Sequence, residues 1–143
     1  MPSMPTRRPS VQRPLVLIAD DNRDTREMYA VFLDMSGYRV ETAGDGREAV
    51  VKAHTLRPAL IVLDLDMPGV DGWRAMREIR DDAKTATTPI IVLTGHDLKD
   101  YLKPAALTLG ARSYLMKPCL PERLAREIAE RLAARPPRIA TAP

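Results

Sequence analysis

The sequence predicts a doubly wound α/β fold, with five parallel strands in the order 2-1-3-4-5 and helices on both faces. Three observations carry this. Short apolar runs bounded by turn residues recur along the chain, and each is followed by a segment whose apolar residues fall at helical spacing. Strict alternation of strand and helix implies a parallel sheet covered on both sides. Two of the runs end in carboxylates: Leu15-Val16-Leu17-Ile18-Ala19 leads into Asp20-Asp21, and Ala59-Leu60-Ile61-Val62-Leu63 into Asp64. A carboxylate in that place sits at the rim where open α/β sheets bind ligands.

The elements follow in order. Residues 1–13 hold three prolines, Arg7, Arg8 and Arg13 and no acid, and are expected to form a disordered basic tail. The first strand follows Pro14. Asp24 is expected to cap a helix from Thr25 to Ser36, with Met28, Val31, Phe32 and Met35 at helical spacing. Gly37 ends it, and Tyr38 to Thr42 alternates as a strand, polar enough for an edge. Gly44-Asp45-Gly46 is a turn, and Arg47 to Leu56 a second helix stopped before Pro58. The third strand ends at Leu63.

After the turn Met67-Pro68-Gly69-Val70-Asp71-Gly72, Asp71 caps a helix from Gly72 to Asp82, with Trp73, Met76 and Ile79 on one side. Pro89 to Thr94 is the fourth strand. A short helix is expected between Asp97 and Leu109, with Pro104 in its first turn, where a missing N–H is harmless. Ser113 to Met116 is the fifth strand. A last helix runs from Pro121 to Ala134 and stops at Pro136-Pro137. One domain is expected over 14–135, with 136–143 as a second tail and no internal repeat.

Aromatic residues make up only 4% of the 143, so aliphatic side chains must form the core. A single cysteine, Cys119, excludes an intramolecular disulfide and a cysteine metal cluster, and is expected to be structural. No apolar stretch has membrane-spanning length and the N-terminus lacks a signal-peptide core, so a cytoplasmic protein without a membrane partner is expected. The basic pI of about 9.2 invites a nucleic-acid reading. The charge is in the wrong place for it. Without Arg7, Arg8, Arg13 and Arg138, 18 basic residues face 19 acidic ones, and a DNA-binding domain needs a basic face on its folded part. No direct nucleic-acid partner is expected.

The 2-1-3-4-5 order places its switch point between strands one and three, where Asp20, Asp21 and Asp64 would meet. Three carboxylates in one crevice repel one another, and a hard divalent cation such as Mg²⁺ cancels that repulsion. A carboxylate beside Mg²⁺ can act as a nucleophile toward phosphorus, giving an aspartyl phosphate. Such chemistry needs partners for the equatorial oxygens. Thr94 closes strand four with a hydroxyl, Lys117 closes strand five with an ammonium, and Gly95 leaves room for a phosphoryl group.

In these features the chain resembles the receiver domain of two-component response regulators, of the stand-alone single-domain type with a flavodoxin-like (βα)5 fold. The matching residues are Asp20-Asp21, Asp64 with the 67–72 turn, Thr94-Gly95, Gly110-Ala111, Tyr114 and Lys117-Pro118, in the family's order and near its spacing. The resemblance implies Asp64 as phosphoacceptor. It implies Asp21, Asp64 and the backbone carbonyl of Asp66 as direct Mg²⁺ ligands, with Asp20 acting mainly through water. Lys117 would pair with the phosphoryl group and Asp64, Thr94 would bond a phosphoryl oxygen, and Tyr114 would be the aromatic switch that turns inward from solvent. A cis bond is implied at Lys117-Pro118. The phosphoryl donor would be a histidine kinase or histidine phosphotransfer protein. The output would be a protein partner or self-association, through the face of helix four, strand five and helix five.

Arg112-Ser113 and Cys119 depart from the family's usual residues, which bears on output partners more than on phosphorylation. His54 is expected to be exposed, and His96 to be a solvated loop histidine near the site mouth. Two other classes compete. A receiver-like scaffold that is never phosphorylated would not need the full acidic set. A phosphatase of the haloacid dehalogenase type needs an acid two residues after its nucleophile, which Asp66 could supply, but its nucleophile follows the first strand and it carries a cap domain. The chain is therefore not expected to be an enzyme beyond catalysing its own phosphorylation and slow dephosphorylation.

Overall fold

The computed structural model describes residues 13–67, 71–95 and 102–134. The expected tails up to residue 12 and beyond 134, the Pro68–Val70 part of the turn, His96 and the start of the fourth helical connection lie outside the described residues. The order of elements is β1 (Leu15–Ala19), α1 (Arg23–Met35), β2 (Arg39–Ala43), α2 (Gly46–Leu56), β3 (Leu60–Leu63), α3 (Gly72–Asp81), β4 (Ile90–Thr94), α4 (Leu102–Thr108), β5 (Ser113–Met116) and α5 (Pro121–Ala133). The sheet is parallel throughout, in the order β2-β1-β3-β4-β5. The expected fold class is the observed one.

The central strands are buried on both faces because they alternate between two cores. Leu17, Ile61, Leu63, Ile90 and Val92 face one cluster with α2, α3 and α4 residues. Val16, Ile18, Leu60, Val62, Ile91 and Leu93 face the other, with Tyr29 and Leu33 of α1 and Leu124 and Ile128 of α5. β2 forms one edge, and its exposed Arg39 and Glu41 discourage further strand pairing.

Helix α1 differs from the sequence expectation in three ways. Its N-cap is Asn22, whose Oδ1 accepts from Thr25 N at 2.9 Å, while Asp24 lies in the first turn, where a negative charge faces the positive helix end. Its buried residues are Tyr29 and Leu33; Met28, Val31 and Met35 are exposed, and of the expected stripe only Phe32 packs against the core. The Tyr29 hydroxyl donates to Cys119 O at 2.6 Å, which ties α1 to the β5–α5 connection. The third difference is at its end. Tyr38 N–H bonds Leu33 O at 3.1 Å and Gly37 N–H bonds Asp34 O at 3.1 Å, with Gly37 at φ 103°, a Schellman closure. Tyr38 therefore finishes the helix, and β2 begins one residue later.

Arg13 also departs from its expected place in the tail. Its side chain is only 12% exposed, and its Nη2 donates to Asp34 O at 3.1 Å, to Asp34 Oδ1 at 2.9 Å and to Tyr38 O. A cation on these carbonyls offsets the negative end of α1. Arg13→Ala is expected to lower stability by about 1–2 kcal/mol, seen as a fall in the thermal midpoint, whereas removing residues 1–10 should leave that midpoint unchanged. Equal midpoints for Arg13→Ala and wild type would refute the cap.

A second arginine staples the far end of the sheet. Arg80 Nη1 donates to Thr85 O, Ala86 O and Thr88 O, the last at 2.6 Å, and Nη2 to Gly110 O at 2.6 Å. Burial, with the charge of Arg112, pushes this guanidinium down to about 10, so it remains a cation at neutral pH. His54, expected to be exposed, is half-buried, with Nε2 3.7 Å from Asp82 Oδ2 where α2 meets α3.

Candidate functional site

Because all strands are parallel, the C-terminal ends of β1, β3, β4 and β5 share one edge of the sheet. Each delivers one or two polar residues there. Asp20 and Asp21 follow β1, Asp64 follows β3, Thr94 closes β4, and Lys117 follows β5. Carboxylate oxygens of Asp20, Asp21 and Asp64 all lie within 4.8 Å of one another. Asp20 and Asp64 are buried, and Asp21 is exposed at the mouth.

The backbone holds these groups in place. Asp64 N–H bonds Ala19 O at 3.0 Å, one step past the β1–β3 ladder, and Asp64 Oδ1 accepts from Asp66 N at 2.9 Å. Asp20 N–H bonds Ala43 O at 3.0 Å, and Asp20 Oδ1 accepts from Asn22 N at 2.8 Å. Lys117 N–H bonds Thr94 O at 2.9 Å, which continues the β4–β5 ladder up to the site. The Lys117 ammonium reaches across the edge to Asp20 Oδ2 at 2.5 Å and Asp64 Oδ2 at 3.2 Å. The Lys117-Pro118 peptide bond is cis, as the resemblance to receiver domains implies.

Burial pushes the Asp64 carboxyl above its ordinary value, against the opposing pull of the Asp66 N–H and of Lys117. Burial would lower the Lys117 ammonium, but its hydrogen bonds to Asp20 and Asp64 and their charges carry it up. The two shifts are consistent. The lysine stays charged between two acids, and one cation does not fully offset the desolvation of Asp64. A cluster of hard oxygen donors with surplus negative charge fits Mg²⁺, which takes few protein ligands and keeps its waters.

Two glycines pack against residues of the site, Gly72 against the Asp64 backbone and Gly95 against Lys117. A Cβ on Gly72 would lie 2.3 Å from Asp64 O and 2.4 Å from Leu65 Cα. At Gly95 the nearest atoms to an added Cβ are Lys117 Cβ and Cδ, both at 3.6 Å, an ordinary van der Waals contact. Thr25, Met28, Tyr29, Gly95, Lys117, Pro118 and Cys119 line an open cavity of about 460 Å³ next to the site.

Tyr114 differs from the expected solvent-facing start of its switch. Its ring packs on the α2–α4 side of the core and its hydroxyl is buried, with no hydrogen-bond partner among the described residues. Burial raises this phenol above its ordinary value. Its neighbour Ser113 points the other way and donates to Glu127 Oε2 of α5 at 2.7 Å, while Arg123 holds Glu127 Oε1 at 3.0 Å. Despite burial, Ser113, Arg123 and Arg131 hold the Glu127 carboxyl below the usual range. Sequence reading did not single out Glu127 or Arg26, whose Nη1 donates to Asp20 O at 2.8 Å. Each looks like an ordinary polar helix residue until the helix is placed.

The comparisons with known proteins agree with this geometry. The family model described as response regulator receiver domain matches residues 16–129. The chain is 38% identical over 119 residues to the alkaline phosphatase synthesis transcriptional regulatory protein PhoP of Bacillus subtilis, which covers 83% of this chain and 47% of that protein. The chain spans less than half the length of such curated relatives. Among solved structures it resembles chemotaxis protein CheY4 of Vibrio cholerae, at 35% identity and a TM-score of 0.78, over 82% of this chain and 98% of that one. It also resembles the receiver domain of sensor histidine kinase PA1611 from Pseudomonas aeruginosa, at 31% identity and a TM-score of 0.78, over 85% and 99% of the two chains. That protein carries a magnesium ion coordinated in its active site cleft.

Proposed function

Because the chain belongs to the response regulator receiver domain family, we propose that it is a phosphorylation-operated switch in the cytoplasm, with Asp64 as its phosphoacceptor. The carrying observation is a buried Asp64 carboxylate with Lys117 Nζ 3.2 Å from one oxygen and two further carboxylates within 4.8 Å. A phosphohistidine on a histidine kinase or phosphotransfer protein is the donor. An Asp64 oxygen attacks phosphorus, the P–N bond breaks, and the imidazole leaves with its electron pair and takes up a proton. Asp21 and Asp64, with the Asp66 carbonyl, would hold Mg²⁺, and Asp20 would act through water. When bound, the cation neutralises the charge that builds on the phosphoryl oxygens. Lys117 pairs with one of those oxygens and the Thr94 hydroxyl bonds another. The chain catalyses only its own phosphorylation and the hydrolysis in which water cleaves the acyl phosphate and inorganic phosphate leaves.

The test is to incubate the pure chain with acetyl phosphate and Mg²⁺ and measure its intact mass. One base-labile phosphoryl group is expected, and none once a chelator removes the metal. No gain, or a gain indifferent to chelation, would sink the reading.

The output face is α4, β5 and α5, acting on a protein partner or on a second copy of the chain, with Arg112 and Ser113 helping to set the choice. Phosphorylation gives the Thr94 hydroxyl a new acceptor, and that differential contact can shift a two-state element. Thr94→Ala should keep Asp64 phosphorylatable but weaken the response at Tyr114. Chemical shifts with a stable phosphoryl mimic decide this. Equal shifts over residues 102–120 in both proteins would refute the coupling.

A further inference from the structure

We propose that Arg26 is a positioning residue for the acidic pocket. Its hydrogen bond to the Asp20 carbonyl sets the Asp20-Asp21 backbone so that both carboxylates face a divalent cation. This rests on the reading that the pocket takes Mg²⁺.

Three of the four polar points of Asp20 are fixed by neighbours already described: its N–H by Ala43, its Oδ1 by Asn22 and its Oδ2 by Lys117. The fourth is the carbonyl, which belongs to the peptide plane joining Asp20 to Asp21. It lies past the end of β1, where no neighbouring strand reaches it. Arg26 Nη1 donates to it at 2.8 Å, and no other hydrogen bond to it is present among the described residues. Asp21 itself is exposed, so this peptide plane is what aims its carboxylate.

The surroundings fit the role. Arg26 lies in the first part of α1 and its side chain reaches back over the β1–α1 turn. The guanidinium rests against Gly44, where a Cβ would come within 3.2 Å of Nη1. Among the described residues it makes no ion pair, although two carboxylates sit on the residue it holds and the next one. The cation serves the backbone and not the acids.

Charge alone and positioning predict opposite signs. Removing a positive charge near a cation site should tighten Mg²⁺ binding on Coulombic grounds. Releasing the peptide plane should weaken it, as loss of outer-shell support does in metal sites. The experiment is a Mg²⁺ titration of the full chain followed by amide chemical shifts, for wild type, Arg26→Met and Arg26→Lys. Arg26→Met should raise the Mg²⁺ dissociation constant about tenfold, with Arg26→Lys between it and wild type. In the metal-free state the amides of Asp21 and Asn22 should shift in Arg26→Met, as a purely electrostatic effect on the ion would not require. Circular dichroism at the same temperature establishes that each variant is folded. If Arg26→Met does not fold, Arg26→Lys decides, since it keeps the charge but not the planar fork. Wild-type or tighter Mg²⁺ binding in the folded variant would overturn the proposal. If the wild type binds no Mg²⁺, the proposed function falls and this inference with it. If only the variants behave as wild type, this inference falls alone.

Discussion

Asp64→Asn is expected to abolish phosphoryl incorporation completely while leaving the fold at least as stable as the wild type. The two effects have separate causes. Asparagine keeps the shape and the acceptor for the Asp66 N–H, but its amide oxygen is a poor nucleophile and it carries no charge for a metal. On the stability side, burial raises the Asp64 carboxyl in the folded protein. A carboxyl raised on folding adds stability while protonated and loses it as the pH climbs through the folded value. Wherever Asp64 is ionised, its buried charge is a cost that asparagine does not bear. Lys117 is not stranded, because Asp20 Oδ2 remains 2.5 Å away. A gain in stability on the order of 1 kcal/mol is expected in chelator, read as a higher denaturation midpoint. Phosphoryl gain at the wild-type rate would overturn the acceptor assignment. A mutant that unfolds would overturn the account of the buried charge.

Most of the fold could be read from the sequence because each central strand is a short apolar run that ends in turn chemistry. β1 and β5 fall on the residues expected, and β3 and β4 begin one residue late, at Leu60 and Ile90. The misses have local causes. Tyr38 looks like a strand residue, but its N–H is used to close α1. Asn22 and Asp24 are both good caps, and only the bond to Thr25 N chooses between them. Met28, Val31 and Met35 outvoted Tyr29 and Leu33 in the apolar pattern, yet tertiary packing against α5 and the sheet selects the latter pair.

The acidic set and Lys117 were also legible, because strand ends in a parallel sheet converge on one edge whatever the intervening helices do. The supporting contacts were not. Arg26 to Asp20 O and Ser113 to Glu127 depend on how a helix is rotated against the sheet, and spacing along the chain carries little of that information. The inward ring of Tyr114 belongs to the same class. Alternation along β5 places Ser113 and Tyr114 on opposite faces, but it does not say how deep the ring sits.

The other large effect is expected at Gly72, which at first reads only as the residue after a helix cap. Asp71 Oδ1 accepts from Arg74 N at 2.8 Å and starts α3 directly against the turn that leaves Asp64. Gly72 N–H bonds Leu65 O at 3.2 Å, so the two backbones touch. An alanine Cβ would stand 2.3 Å from Asp64 O, 2.4 Å from Leu65 Cα and 2.9 Å from Leu65 C. These are backbone atoms, and no side-chain rotation can relieve the clash. Either α3 backs away from the sheet, exposing Met76 and Ile79, or the segment carrying Asp64 moves. Gly72→Ala should therefore cost about 3 kcal/mol and slow phosphorylation of whatever folded protein remains. Gly95→Ala is the control, since its Cβ meets only Lys117 methylenes at 3.6 Å and should leave stability near wild type. Denaturant midpoints for the two variants, with phosphorylation rates measured below both midpoints, test the contrast. A Gly72→Ala protein with wild-type midpoint and rate would show that α3 is not held against the acceptor segment by backbone contact.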